Sequence, residues 1–473
     1  MRKSMKPVVT LLAGATILAV AMGAWFLFGP GGRPATPIPP PEKPAMIDAY
    51  DRLLAAYKAA QAGQPVDVNL EPFPEDALDI IAGYEQLFTH VKEALSAAGI
   101  DETEEVLYKG SYEWTDAEKT AITEFLAANQ DLIDEIRQMA GRGGPVFPID
   151  FSKGPFPELP HLEPGLSPPI RQCARILCAN AILNAMQGRH ALAVDDLLAA
   201  MKLGDAFALE PDMMSQAFRG GLYGTVYRTV EHLLDGGGLS PELTELLVTE
   251  LAQADHREGL VEVLRAELYM GEMHFWALKR GDPTWLSEQP ADGVDVLTDR
   301  VSSRLSAIFW TLRREQEESF RRIMNRWIAA AKHPYYEAAP ELELLKKEID
   351  GQRSILLMLL LHSRPSGPCQ VQAYHEVRLD LMQMGILLEQ YKAQNGSYPA
   401  KLDAIAPDIG GSLPVDPFSG EAYHYVPAED EFLLYSVGRN LVDDGGKHDW
   451  RKGDIVWRGD QKKTDDAAQL GGE

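Results

Sequence analysis

The sequence is poor in cysteine and lacks the short motifs that mark common enzyme classes. It has no HExxH pair, no CxxC pair, no GxSxG elbow, no Walker-type phosphate loop and no glycine-rich dinucleotide fingerprint. The chain therefore carries no motif that names a reaction, and a non-enzymatic role is favoured over an enzymatic one.

Basic residues are also scarce relative to acidic ones. The chain has 45 Lys and Arg against 70 Asp and Glu, which gives a formal net charge of −25. A surface this acidic repels phosphate backbones, so nucleic acid is excluded as an expected partner. The same charge favours cations and basic partners.

The three cysteines are Cys173, Cys178 and Cys369, an odd number without the spacing of a metal site. Cys173 and Cys178 are five residues apart on a predicted helix and project from different faces. The favoured interpretation is three buried small hydrophobic residues. A disulfide from Cys369 to one of the others is the alternative if the domain is exported.

The N-terminal segment has the pattern of a membrane anchor. Arg2, Lys3 and Lys6 precede an uncharged apolar run over 7–29, which is long enough for one bilayer crossing. The basic residues predict that the N-terminus stays inside and that the bulk of the chain is exported. We expect a retained anchor rather than a cleaved signal peptide, in a bacterial inner membrane with a periplasmic bulk.

The predicted fold is mainly α, and composition divides the chain into five segments. They are a basic tip with a transmembrane helix at 1–29, a proline-rich linker at 30–44, an irregular, solenoid-like α-helical domain at 45–368, a small α+β module at 371–460 and a disordered tail at 461–473.

Apolar periodicity predicts the helices of the large domain. They are expected at 45–62, 76–98, 115–140, 170–187, 190–208, 212–235, 240–253, 256–280, 295–331 and 338–362. Thr115 with Glu118 predicts a capping box. The text LNAMQGRHALAVDDLLAAMKLGDA weakly resembles a tetratricopeptide-type hairpin, with Gly188 at the turn and Ala200 at a close helix contact.

The C-terminal module begins with an amphipathic helix predicted at 371–394 and ended by Asn395-Gly396. A short helix at 400–406 follows, then a turn marked by Asp416-Pro417-Phe418 with Gly420, and strands at 422–426 and 432–436. The order LLEQYKAQNGSYPAKLDAIAP, LPVDPFSGEAYHYVP, EFLLYSVGRNLVDDGGKHDWRKGDIVW resembles the globular part of the major pseudopilin of type II secretion (the G-type subunit). The resemblance implies an extracytoplasmic α+β module. The chain lacks the pseudopilin processing site, so assembly as a pilin subunit is not expected.

An acidic loop follows Ser436-Val437-Gly438. Carboxylates dispersed along a loop with glycines suit Ca²⁺, which prefers several oxygen ligands in flexible geometry. The resemblance implies a structural calcium site, and the family loop is matched at Ser436, Gly438, Gly445, Gly446, Asp454 and Ile455. Asn440 replaces an Asp and Leu441 a Gly, which weakens the site. The predicted ligands are Asn440, Asp443, Asp444, Asp449 and Asp454; a solvated acidic turn without a bound ion is the alternative.

Three further patterns have both an ordinary and a functional interpretation. Glu267, Glu272 and His274 in AELYMGEMHFW indicate a mixed polar helix face, with a metal or acid–base site as the alternative. Arg219-Gly220-Gly221 is typical of a helix break, with anion binding as the alternative. Asp195-Asp196 resembles a carboxylate pair, but adjacent residues on a helix diverge.

The leading functional hypothesis is a membrane-anchored, extracytoplasmic interaction or scaffold protein that binds envelope proteins or peptides, near a secretion or pilus-like system. An envelope hydrolase with its active site in the helical domain is the alternative. A true secretion pseudopilin is the third hypothesis, and the missing processing site argues against it.

Overall fold

The computed structural model describes residues 39–66, 68–100, 107, 114–143, 147–151, 169–234, 239–254, 257–280, 314–351, 365–449 and 451–459. The predicted transmembrane helix at 1–29, most of the linker and the tail at 461–473 lie outside these residues. Of the helices described, none has the length and apolar character needed to cross a bilayer.

The described chain is mainly helical, with one small sheet, as the composition predicts. Its α-helices are α1 Ala45–Gln61, α2 Ala77–Ala97, α3 Asp116–Ala128, α4 Gln130–Gly141, α5 Pro169–Met186, α6 His190–Asp205, α7 Met213–Leu233, α8 Pro241–Ala252, α9 Arg257–Arg280, α10 Arg314–Ala331, α11 Tyr335–Asp350 and α12 Ser366–Asn395.

The single helix predicted at 115–140 is wrong, because the chain breaks it into α3 and α4 at Asn129. The start is as predicted, with the Thr115 and Glu118 side chains and backbone forming a complete capping box. At the break, Asn129 Nδ2 donates to Phe125 O at 2.7 Å and competes for a backbone acceptor. Asn129 leaves the helical conformation at φ −120°.

The predicted hairpin around Gly188 is confirmed. α5 and α6 pack along their lengths, and Gly188 takes the left-handed conformation at the turn with φ +74°. Ala200 is completely buried. The helix predicted at 190–208 ends as an α-helix at Asp205 and continues as a 3₁₀ turn, Ala206–Leu209.

The central hydrophobic core crosses the predicted boundary between the helical domain and the module. It includes residues of α2 to α8 together with Leu388 of α12, Leu434 and Trp457. A second core contains residues of α9, α10 and α11 together with Cys369. A third core packs residues of α1 and α2 against α9. Cys173, Cys178 and Cys369 are free and buried, so the hydrophobic interpretation is confirmed.

The module is built on α12. Gly396 ends this helix with φ +80°, and its N–H donates to Lys392 O. After the 3₁₀ segment Leu402–Ile409, the strands β1 His424–Pro427, β2 Phe432–Ser436 and β3 Ile455–Val456 form an antiparallel sheet in the order β1-β2-β3. The predicted strand at 432–436 matches β2.

Candidate metal site in the acidic loop

The acidic loop leaves β2 at Ser436 and returns to β3 at Ile455. Its two ends lie against each other, because a Cβ at Gly438 would be 2.5 Å from Gly453 O. Gly438 has φ +63°, so both its conformation and its surroundings require glycine. The sheet beneath is held to α12 where Trp457 packs on Gly385.

Asp416 anchors the start of this loop, a role that its place in a predicted turn did not reveal. It is buried, and its carboxylate accepts Phe418 N at 2.9 Å, Ser419 Oγ at 3.2 Å and Ser436 Oγ at 2.9 Å. Ser436 Oγ in turn accepts Gly438 N at 2.9 Å. Burial raises the pKa of Asp416, and these donors oppose the rise.

Asp454 closes the loop from the other end. Its carboxylate is fully buried and accepts Gly446 N at 2.7 Å and Asp444 N at 3.4 Å. Burial raises its pKa, and the nearby carboxylates of Asp444 and Asp443 raise it further. A cation beside Asp454 would relieve both effects.

Asp444 lies next to this carboxylate, and Asn440 contacts Asp444. Asn440 Nδ2 donates to Asp444 Oδ2 at 2.9 Å and to Lys452 O at 2.6 Å, and Asn440 Oδ1 accepts Val442 N. A Cβ at Gly453 would lie 2.9 Å from Lys447 O and 3.5 Å from Asp444 Oδ2. Two oxygen atoms, Lys447 O and Asp444 Oδ2, thus lie near a point that a side chain at position 453 would fill.

Of the other two predicted ligands, Asp443 is engaged elsewhere, whereas Asp449 lies near the same point, 3.4 Å from its Cβ to a Cβ built at Gly453. Asp443 Oδ1 accepts Tyr435 OH and Gly445 N, each at 2.9 Å, and its Oδ2 is 3.6 Å from His424 Nδ1. The Gly445 N–H is the main cause of its lowered pKa. Asp449 Oδ1 accepts Arg451 N at 2.9 Å. The structure therefore links Asn440 and Asp454 through Asp444, with Asp449 beside them.

These residues fit calcium in the type of their donors. All are oxygen-bearing groups, and an Asn side chain or a backbone carbonyl is an ordinary calcium ligand. Rotating the Asn440 amide would turn its oxygen toward Asp444 Oδ2 and Lys452 O, and amide orientation follows from the surrounding bonds. Within the described residues, no three Asp, Glu, His or Cys side chains converge as a metal group. Calcium binding stays a prediction.

Two of the three polar residues of α9 have separate partners. Glu272 pairs with Arg321 at 2.5 Å, and His274 Nδ1 is 2.8 Å from Met270 O. Glu267 has a pKa raised to about 7, first by burial and then by Asp212. The described contacts do not bring these three side chains together as an acid–base site.

A polar seam that joins the helices to the module was not predicted, because its members are distant in sequence. Arg257 donates to both oxygens of Glu376, from Nε at 3.1 Å and Nη2 at 2.8 Å. Tyr423 OH donates to Asp380 Oδ2 at 2.6 Å. Burial raises the pKa of Asp380 to about 7.

Comparisons with protein-family models, curated proteins and solved structures each gave no match.

Proposed function

We propose that this chain is a membrane-anchored, extracytoplasmic interaction or scaffold protein whose acidic loop docks an envelope protein or peptide. The anchor rests on Arg2, Lys3 and Lys6 before the apolar run. In this proposal the pseudopilin-like module is stabilised by calcium held by Asn440, Asp444 and Asp454, near a secretion or pilus-like system.

The main support is the way in which α12 presents the acidic loop. The sheet below the loop shares its hydrophobic core with the helices, through Leu434, Ile455 and Trp457. Above this buried base, Leu441 and Val442 expose 58% and 54% of their surface. Adjacent exposed apolar side chains on a polar rim are typical of protein contact sites.

The backbone conformation of Leu441 is a second reason to propose that the acidic loop docks a partner. It has φ +57°, a conformation that a leucine adopts only at a cost in free energy, where the pseudopilin loop has glycine. Backbone strain at an exposed position indicates a role for the side chain itself. In this proposal Leu441 contacts the partner.

The test is site-specific photo-crosslinking in the native membrane. A photoreactive residue at position 441 is expected to give one discrete adduct, which disappears with a calcium chelator and in Asp454→Asn. The same residue at Leu344, an equally exposed position on α11, is the matched control. An adduct pattern that is identical at both positions would contradict the proposal.

The hydrolase alternative is favoured by the raised pKa of Glu267, since buried acids with a pKa near 7 are common in active sites. Glu267→Gln separates the two functions. It would abolish turnover in a hydrolase and leave the crosslink at position 441 unchanged in a scaffold.

A further inference from the structure

A stripe of polar residues lies buried along α7. Arg219, Tyr223, Tyr227 and Glu231 recur every four residues, which places them on one helix face. Each exposes 3% or less of its surface. This face lies at the junction where α7 packs against α5, α6 and α12.

The acidic groups of the junction already have partners. Glu231 forms an ion pair with Arg378 of α12 at 3.6 Å. Asp205 Oδ1 accepts Tyr223 OH at 2.5 Å and Arg219 Nη2 at 3.2 Å.

Hydrogen-bond donors of Arg219 and Tyr227 remain without an acceptor in the described part of this junction. Arg219 Nε and Nη1 and the Tyr227 hydroxyl are buried and find no hydrogen-bond partner in the described part of the chain. A buried donor without an acceptor is costly, about 1–3 kcal/mol, and more for a charged group. Three such atoms at one junction indicate a place for a ligand rich in acceptors.

Cationic groups lie beside the Tyr227 ring, and the nearby acids are Glu231, which pairs with Arg378, and Asp380. The guanidinium carbon of Arg378 lies 5.5 Å from the centre of the Tyr227 ring. Burial, Arg378 and Arg219 together lower the pKa of His375 to about 4, so its imidazole is neutral at pH 7. The acid that faces Arg219, Asp205, has a side chain 47% exposed, so solvent screens it.

One glycine of α7 lets a side chain of α12 approach the helix backbone. The helix break expected at Arg219-Gly220-Gly221 is wrong, because α7 continues through these residues. A Cβ at Gly220 would overlap the imidazole of His375, and a Cβ at Gly221 would lie 3.9 Å from Arg171 Nη2. Gly220 thus admits the His375 side chain of α12 to the junction, and Arg171 of α5 lies in ordinary contact distance of Gly221.

We propose that this junction binds a small oxyanion, a phosphate or carboxylate group, through the free donors of Arg219 and the hydroxyl of Tyr227. Arginine is the residue that proteins use most readily for such groups. The proposal is independent of the acidic loop and of its calcium.

The test is thermal unfolding of the purified full chain in chloride, acetate and inorganic phosphate at constant ionic strength. An oxyanion that binds the folded state raises Tm, by roughly 5 °C at a concentration about 100 times its Kd. A rise with phosphate alone identifies a phosphate site, and a rise with acetate identifies a carboxylate site. Equal Tm in all three salts overturns the proposal.

Two variants locate the effect. Tyr227→Phe removes a hydroxyl that has no partner among the described residues, so its Tm in chloride is expected to equal or exceed that of the wild type. It should lose at least half of the oxyanion-dependent rise, and Arg219→Lys should lose more. Tyr84→Phe is the control, because Tyr84 is equally buried on α2 and bonds Gly143 O. A full rise in Tyr227→Phe, or a loss in Tyr84→Phe as well, would contradict the site.

Discussion

Asp196 and Asp454 are both fully buried, but their surroundings differ in charge. Asp196 accepts Arg137 Nε at 2.7 Å, and Nδ2 of Asn180 and Asn184 at 2.8 and 3.1 Å. Asp454 accepts two backbone N–H groups, and the described residues give it no ion pair. Its charged neighbours are Asp444 and Asp443.

The comparison separates a carboxylate that basic and amide side chains compensate from one whose charged neighbours are other carboxylates. Burial raises the pKa of Asp196 to about 6, and Arg137 opposes the rise. At Asp454 the neighbouring carboxylates act in the same direction as burial. A buried aspartate is therefore structural at α6 and a candidate ligand in the acidic loop.

The largest loss of stability is expected at Asp196, whose charge is compensated by side chains of the protein itself. Asp196→Ala leaves Arg137, Asn180 and Asn184 without their acceptor, and it should lower the free energy of unfolding by about 3 kcal/mol. The urea midpoint measures the loss. Asp195→Ala, at the adjacent exposed position, should change stability by less than about 0.5 kcal/mol. Equal effects of the two substitutions would remove the structural role of Asp196.

A smaller effect is expected at Asp380, which has one neutral donor in Tyr423 and acidic neighbours in Glu376 and Asp416. Its folded pKa of about 7 exceeds the unfolded value of about 3.9, so the folded state holds more protons between these pH values. Stability due to this group is therefore present below pH 4 and is lost as the pH rises through 7.

Asp380→Asn should flatten this dependence. The variant is expected to exceed the wild type in stability by on the order of 1 kcal/mol at pH 8, with a smaller difference at pH 5. Urea midpoints at the two pH values measure it. A wild type that gains stability from pH 5 to 8 relative to the variant would contradict the raised pKa.

The smallest change in stability is expected in the acidic loop, at Leu441. Leu441→Gly relieves the left-handed conformation and adds freedom to the unfolded chain, so a net gain of about 0.5 kcal/mol is expected. Val442→Gly, at a neighbour that is equally exposed without a positive φ, should destabilise the protein. Equal losses in the two variants would show that Leu441 stores no strain.

Local features of the fold were predictable from the sequence. The capping box at Thr115, the turn at Gly188, the end of α12 at Gly396 and the strand Phe432–Ser436 each depend on residues close in the chain. The divergence of Asp195 and Asp196 also followed from helix geometry. The helix break at Asn129 was not predicted. The apolar periodicity continues through this asparagine, and its bond to Phe125 O is visible only in the structure.

The polar sites were predictable only in part. Asn440, Asp444 and Asp454 lie on one loop, so their grouping was visible as a spacing. The junction of Arg219 with His375 and Arg378 depends on the packing of α12 against α7, more than 150 residues away. Asp416 was read as a turn residue, and its bond to Ser436 Oγ forms across the sheet.

The most direct measurement is a calcium titration of the full chain, of Asp454→Asn and of Asp443→Asn, followed by thermal unfolding. Asp443 is the matched control, because its carboxylate accepts hydrogen bonds from Tyr435 and Gly445 and, within the described residues, forms none with Asn440 or Asp454. The account predicts that calcium raises Tm in the wild type and in Asp443→Asn and leaves Asp454→Asn unchanged. A wild type that does not respond, or an equal rise in Asp454→Asn, would contradict a cation site at Asp454.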